Sequence, residues 1–223
     1  RGQPHHWRRR AQRPANPDLA SIGIFNFGGS GTITNNTVSN CNDAISANWS
    51  TGTTFTFNTV SSSGSGIHTD NAGNSGSPDL IENNSVSDSP VNGYGIFVFA
   101  PYQAPVVNLN TITNVDVGLT CAGSYAAVTP VFTNNTVNGM AKANSTGIYI
   151  TTEIWGFTSG NVSVSFENNS IINNVDGMYV VAEAGFTNTS TFFNNEFHTN
   201  SNSNVLAGVG GMGAGTFALQ MSG

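Results

Sequence analysis

The feature that most constrains this chain is a short motif that returns seven times: an asparagine, then a polar residue, then an apolar one. The first copy is TNNTV at 34–38, and successive copies are separated by 22, 26, 26, 25, 34 and 26 residues. Repeat periods of roughly 20 to 50 residues are typical of solenoids. We expect the motif asparagines to lie in turns and to pair with their equivalents in neighbouring coils. These marker asparagines are Asn36, Asn58, Asn84, Asn110, Asn135, Asn169 and Asn195.

Each repeat carries two further short apolar segments, one before the marker and one after it. The later segment is usually preceded by Gly or Ala, as in GIHTD, GIFVF and GMYVV. Short runs of Val, Ile, Phe and Thr between Gly, Asn and Ser indicate strands, and the repeats contain no long amphipathic helical pattern. Three short strands in each coil predict a parallel β-helix, with coils stacked about 4.8 Å apart.

On these repeats, residues 21–223 resemble the right-handed parallel β-helix (pectin lyase-like) superfamily, especially its NosD-like and surface-protein repeats. The resemblance implies an all-β, right-handed parallel β-helix of roughly seven to eight coils. It implies little about activity, because one fold hosts many functions. Both ends of the repeat region look interrupted. We therefore expect a segment of a longer solenoid, or ends covered by further coils, a cap or self-association.

The first 20 residues do not share the repeat pattern, and they form a separate head rich in Arg and Pro. All five arginines lie there, whereas the repeats contain one lysine, Lys142, within a chain of net charge −6. We interpret the head as a flexible leader or linker rather than a nucleic-acid arm. The acidic, Asn- and Thr-rich repeats favour a secreted or cell-surface protein without nucleic-acid partners. No apolar run is long enough to span a membrane.

The residue types in the repeats argue against one class of enzymatic mechanism. The resemblance implies that lyases of this superfamily use a basic residue, commonly arginine, near a uronic carboxylate, and the repeats contain no arginine. A pectate-lyase mechanism is therefore disfavoured. We predict no cofactor and no metal site. His68 and nearby Asp70 are interpreted as an ordinary hydrogen-bonded pair. Cys41 and Cys121 are expected to lie about three coils apart, too far for a disulfide.

One pair of carboxylates supports a catalytic hypothesis. Aligning residues 147–157 with 177–186 places Tyr149 over Tyr179 and Glu153 over Glu183 in consecutive coils. That spacing overlaps the carboxylate separation of about 5–5.5 Å in retaining glycosidases, so Glu153 and Glu183 could act as acid/base and nucleophile. The alternative is that duplicated repeats keep identical residues in register without any activity.

Aromatic residues close to the same segment suggest carbohydrate binding, because flat rings can stack on sugars while amides and hydroxyls donate hydrogen bonds. The alternative is that these rings pack under their own loops. The candidates are Tyr149, Tyr179, Trp155, Tyr125, Tyr102 and Trp49.

Three function classes follow. The first is an extracellular, non-catalytic β-helix module for surface attachment or for binding a polysaccharide or surface glycan. The second is a polysaccharide hydrolase that uses Glu153 and Glu183. The third is a structural, filament-forming or ice-binding solenoid. Ice binding needs a regular threonine array, and we expect no strand position to hold threonine through successive coils.

Overall fold

The computed structural model describes residues 21–70, 76–123, 127–153, 160–209 and 215–223. Those residues form 23 strands and no helix. The strands are short because β-branched and aromatic residues alternate with Asn, Gly and Ser, which favour turns. The predicted head, residues 1–20, lies outside the described residues, as do Tyr125 and Trp155.

The strands form three parallel sheets, and the chain visits the sheets in turn once per coil. Sheet A consists of β1 (Ile22–Phe27), β4 (Asp43–Asn48), β7 (Ser65–Thr69), β10 (Tyr94–Phe99), β13 (Val117–Ala122), β16 (Thr146–Thr151), β19 (Asp176–Ala182) and β22 (Ser203–Val209). Sheet B consists of β2 (Gly31–Thr34), β5 (Thr53–Thr56), β8 (Leu80–Glu82), β11 (Val106–Asn108), β14 (Val131–Thr133), β17 (Val162–Glu167), β20 (Thr187–Phe193) and β23 (Thr216–Ser222). Sheet C consists of β3 (Thr37–Ser39), β6 (Thr59–Ser61), β9 (Ser85–Ser87), β12 (Thr111–Thr113), β15 (Thr136–Asn138), β18 (Ser170–Ile172) and β21 (Glu196–His198). The predicted all-β parallel solenoid is confirmed.

The core is a continuous column of apolar side chains between the three sheets. Each sheet turns alternate residues inward, and equivalent residues stack from coil to coil. In sheet B the rings of Phe132, Phe166 and Phe192 stack with centroid separations of 4.6 and 5.5 Å. Cys121 lies in this core, fully buried, and Cys41 is partly buried. Both thiols are free, so the prediction of no disulfide between them is confirmed.

The marker asparagines form a hydrogen-bonded ladder at the turn between sheets B and C. Asn110 is typical: its Oδ1 accepts from the backbone N–H and from Nδ2 of Asn84, at 3.0 and 2.9 Å. Its Nδ2 donates to Asn135 Oδ1 at 3.0 Å and to the Ile81 carbonyl at 2.9 Å. The left-handed backbone conformation falls on the residue before each marker, with φ of 55° at both Phe57 and Leu109. The marker therefore supplies hydrogen bonds while its predecessor turns the chain.

The glycine before the sheet A apolar residue is required by a close approach. A Cβ placed on Gly95 would lie 2.5 Å from the Gly118 carbonyl oxygen and 2.7 Å from Ile112 Cγ2. Neither neighbour can move easily, since one is backbone and the other is packed in the core. The small residue thus lets sheet A pass close to sheet C at this corner.

Lys142 connects turns from three coils. Its Nζ lies 3.3 Å from Oδ1 of the buried Asp116 and donates to the carbonyl oxygens of Ser89 and Asn114. Asp116 Oδ2 in turn accepts the backbone N–H of Asn92. A single cation therefore neutralises a buried carboxylate and fixes two neighbouring turns.

Candidate functional site

The outer face of sheet A carries a cluster of aromatic side chains. In β10, Ile96 and Val98 pack in the core, so Phe97 points to the opposite side of the sheet. The Phe97 ring stacks with Tyr94 at 5.5 Å, and it lies 5.8 Å from Phe99. Although Phe97 faces outward, it is fully buried. The outer face is thus covered by other side chains and is not a flat solvated surface.

The aromatic cluster continues along the coils. The His68 ring stacks on Phe97 with a centroid separation of 5.0 Å. Two coils after Phe97, Tyr149 is paired in register with Tyr179, and their rings stack at 5.9 Å with an angle of 10°. The parallel register places Thr120 between Phe97 and Tyr149. From His68 to Tyr179, this outer column therefore contains four rings, with one threonine among them.

Three buried polar atoms on this face have no hydrogen-bond partner: His68 Nε2, Thr120 Oγ1 and Thr146 Oγ1. Thr120 and Thr146 are 0 and 1 % exposed. In the described part of the chain, one other buried side-chain atom has no hydrogen bond, Asp116 Oδ1, and that atom is neutralised by Lys142. Buried polar groups are normally paired, so an unpaired one calls for an explanation such as a water or a ligand. Here all three lie on the same face.

Burial and nearby carboxylates both affect the tyrosine pair. Burial raises the pKa of Tyr149, and the nearby charge of Glu153 contributes to the same direction. Burial also raises the pKa of Tyr179, with further contributions from Asp176 and Glu183. A phenol near negative charge holds its proton more firmly. Burial is the main cause of the raised pKa of both tyrosines, and the carboxylate charges make the smaller contribution.

The predicted catalytic pair lies beside these tyrosines. Tyr149 is paired with Tyr179 and Thr151 with Val181, so the strand register brings Glu153 and Glu183 to neighbouring coils. Glu183 is 3 % exposed, and its backbone N–H donates to Thr152 Oγ1 at 2.8 Å. Glu153 is partly buried. A polymer could reach the Glu183 carboxylate only after the side chains around it rearranged. The catalytic assignment stays a prediction.

The predicted carbohydrate-binding aromatics differ widely in exposure. Trp49 is 59 % exposed, Tyr102 and Tyr149 are partly buried, and Tyr179 is 8 % exposed. Trp49 follows β4, four strands of sheet A away from Tyr149, so the described rings do not form one evenly exposed row. Their role in binding stays a prediction.

The predicted hydrogen bond between His68 and Asp70 is wrong. His68 Nδ1 lies 3.9 Å from Asp43 Oδ2, one coil earlier, and Asp70 Oδ1 accepts the backbone N–H of Trp49. In a solenoid, the nearest partner of an outward side chain often comes from the next coil rather than from its own strand.

Two surface features were missed in the sequence. Sheet C holds Thr or Ser at one outward position in six successive strands, with Ser85 and Ser170 interrupting the threonines. An open groove of about 390 Å³ adjoins that column and includes the exposed Phe57 and Leu109. None of the buried unpaired atoms lies in this groove. Sheet A is therefore the stronger candidate for a binding site.

The fold and the outer face of sheet A define a parallel β-solenoid with a cluster of aromatic side chains on one side. The chain belongs to the NosD family: the family model described as "Periplasmic copper-binding protein (NosD)" matches residues 15–212. No curated protein matches the chain, and no solved structure does either.

The described residues do not fit a copper site. Among them, no group of three or more His, Cys, Asp or Glu side chains could hold a metal ion. Cys121 is sealed in the core, and burial raises the pKa of its thiol to about 12, which disfavours the thiolate that a metal requires. In the same ranges, no helix has the length and apolar character needed to span a membrane.

Proposed function

We propose that this chain is a non-catalytic β-solenoid module that binds a carbohydrate on the outer face of sheet A, in the periplasm or outside the cell. The observation that carries the proposal is the concentration of buried, unpaired polar atoms among aromatic rings. Thr120 Oγ1 lies in the same column as Phe97 and Tyr149. A sugar satisfies both kinds of group, since its ring faces are apolar and its edges carry hydroxyls.

The carboxylates support catalysis less strongly than the unpaired hydroxyls support binding. Glu183 and Thr120 are 3 and 0 % exposed, so a sugar reaches either of them only when the side chains that cover this face move apart. Binding is favoured over catalysis because the buried atoms without a partner there include hydroxyls and no glutamate oxygen. The family's description as periplasmic supports the proposed location. The low charge of the chain, with 8 % charged residues, suits a neutral or weakly charged ligand better than nucleic acid.

A glycan-array screen with an isosteric variant tests the proposal. Thr120→Val removes the unpaired hydroxyl and keeps the shape of the side chain. We expect the variant to be at least as stable as the wild type, because a buried hydroxyl without a partner is replaced by an apolar group. We expect its affinity for a bound glycan to fall about fivefold, the value of one hydrogen bond worth about 1 kcal/mol.

Thr133→Val is the matched control, because Thr133 lies on the outer side of sheet B. It should leave binding unchanged. Equal binding by the wild type and Thr120→Val would contradict the proposed site, and no glycan binding at all would contradict the proposed function. Release of reducing sugar that is lost in Glu153→Gln or Glu183→Gln would establish a hydrolase instead.

A further inference from the structure

We propose that the outer face of sheet C binds ice, an inference that goes beyond the carbohydrate site on sheet A. In β3, β6, β9, β12, β15 and β18 the first residue carries a hydroxyl and lies on the outer side, while the central residue packs inward. Serine replaces threonine in two of these strands, but the hydroxyl is present in all six. The residues of this first column are Thr37, Thr59, Ser85, Thr111, Thr136 and Ser170.

A second hydroxyl column runs beside the first in the four strands from β3 to β12. Equivalent residues in neighbouring coils are about 4.8 Å apart, and residues two apart on one strand are about 6.6 Å apart. The two columns together form a hydroxyl grid whose repeats are comparable with the oxygen-to-oxygen repeats on the faces of ice. A grid suits a crystal face, because the water molecules of that face are themselves periodic. The residues of the second column are Ser39, Ser61, Ser87 and Thr113.

The hydroxyls of the first column are left for water. In the part of the chain that the structure describes, one of them has a hydrogen-bond partner, Ser170, which donates to Glu196 Oε2 at 3.2 Å. Sheet B differs, since Thr56 Oγ1 donates to Thr34 Oγ1 at 3.0 Å and these outward hydroxyls satisfy each other. A hydroxyl has one donor and two acceptor sites, and the first column from β3 to β15 offers all of them to solvent. The availability of these groups is an observation independent of their spacing.

The asparagine ladder holds the hydroxyl grid in register. Each residue of the first column directly follows a marker asparagine, as Thr59 follows Asn58. Asn58 Nδ2 donates to Asn84 Oδ1 at 2.9 Å, and the Thr59 backbone N–H donates to the Asn36 carbonyl at 2.8 Å. The spacing of the coils is therefore fixed by hydrogen bonds beside the grid before any water is ordered. Such preorganisation reduces the free energy lost on binding.

No charged residue interrupts these strands. From β3 to β18, the residues of sheet C are Thr, Ser, Val, Ile and Asn. A charged side chain would hold a hydration shell of its own, which does not fit a crystal lattice. Threonine offers a hydroxyl that can take part in the lattice and a methyl group, beside which water has restricted orientational freedom. The chemistry of the face therefore suits ordered water.

Ice partitioning of the whole chain tests the inference: a solution is frozen slowly on a cooled probe, and the protein in the ice and in the liquid is compared. We expect the wild type to enter the ice and to show thermal hysteresis, a freezing temperature below the melting temperature. Thr59→Lys places a long charged side chain at an exposed position of the grid, and it should abolish both effects. Ser85→Thr adds one methyl group to the first column and should increase the thermal hysteresis.

Thr189→Lys is the matched control, because Thr189 is an exposed threonine on the outer side of sheet B. It should leave ice partitioning and thermal hysteresis unchanged. Exclusion of the wild type from ice would overturn the inference, and so would equal partitioning of the wild type and Thr59→Lys. Retention on insoluble cellulose or chitin without entry into ice would assign the grid to a crystalline polysaccharide and would also overturn it. The carbohydrate site on sheet A is decided separately, by the glycan screen of Thr120→Val.

Discussion

Replacing Asn110 with alanine tests the asparagine ladder. The Asn110 side chain takes part in four hydrogen bonds: two to Asn84, one to Asn135 and one to the Ile81 carbonyl. Asn110 itself is 1 % exposed. Alanine removes all four bonds at once and leaves their partners buried. At about 1 kcal/mol for each bond, the expected loss in the free energy of unfolding is about 4 kcal/mol.

A loss of that size is a large fraction of the roughly 5–15 kcal/mol that stabilises a typical domain. It should appear in urea unfolding, followed by far-UV circular dichroism, as a clear decrease of the midpoint with little change in slope. The loss should be concentrated in one layer of the solenoid, because each coil contacts only its neighbours.

The matched control is Asn36→Ala. The Asn36 side chain donates two hydrogen bonds, to the Thr34 carbonyl and to Asn58 Oδ1, and the first of these is exposed to water. Water can replace an exposed bond, so the expected loss is about 1 kcal/mol. Equal losses for Asn36→Ala and Asn110→Ala would refute the argument that the ladder stabilises the fold through buried, mutually satisfied amides.

Three further predictions concern other parts of the fold. Phe57→Asn should raise the free energy of unfolding, measured in urea, by about 1 kcal/mol, because asparagine tolerates the left-handed φ of 55° better than phenylalanine; a lower free energy of unfolding would contradict this. Lys142→Met should cost about 3 kcal/mol in the same assay by leaving the Asp116 carboxylate buried without its cation, and adding Asp116→Asn should restore part of the loss. Iodoacetamide at pH 8 should modify Cys41 and spare Cys121, whose pKa of about 12 and complete burial keep it protonated and inaccessible; mass spectrometry showing two adducts on the folded chain would contradict this.

Much of the fold could be predicted because the ladder imposes a strict rule on the sequence. A buried asparagine such as Asn84 is satisfied by its equivalents in the neighbouring coils, so every coil must supply one. Gly95 shows a second strict rule, since its place at the corner leaves no room for a Cβ. Insertions in the loops after sheet A change the repeat length without breaking either rule. The marker asparagines can therefore be recognised in the sequence although their spacing varies.

The candidate site could be predicted only in part. The stacking of Tyr149 on Tyr179 could be predicted because the two repeats that contain them have similar sequences. The place of Thr120 in the candidate site could not be predicted, because it is one of many threonines and its burial depends on side chains from neighbouring coils. The left-handed φ falls on the residue before each marker, as at Phe57, while the marker side chain itself joins the ladder. The hydroxyl column of sheet C could have been found by aligning the residue after each marker.

A crystal structure of the chain with a glycan that it binds on the array tests the central claim most directly, because it locates the ligand and its polar contacts together. The account predicts a sugar on the outer face of sheet A, with polar atoms within hydrogen-bond distance of Thr120 Oγ1 or Thr146 Oγ1 and a sugar ring against Tyr149. A sugar bound elsewhere, for example in the groove beside Phe57, with ordered water on the two threonines, would contradict it.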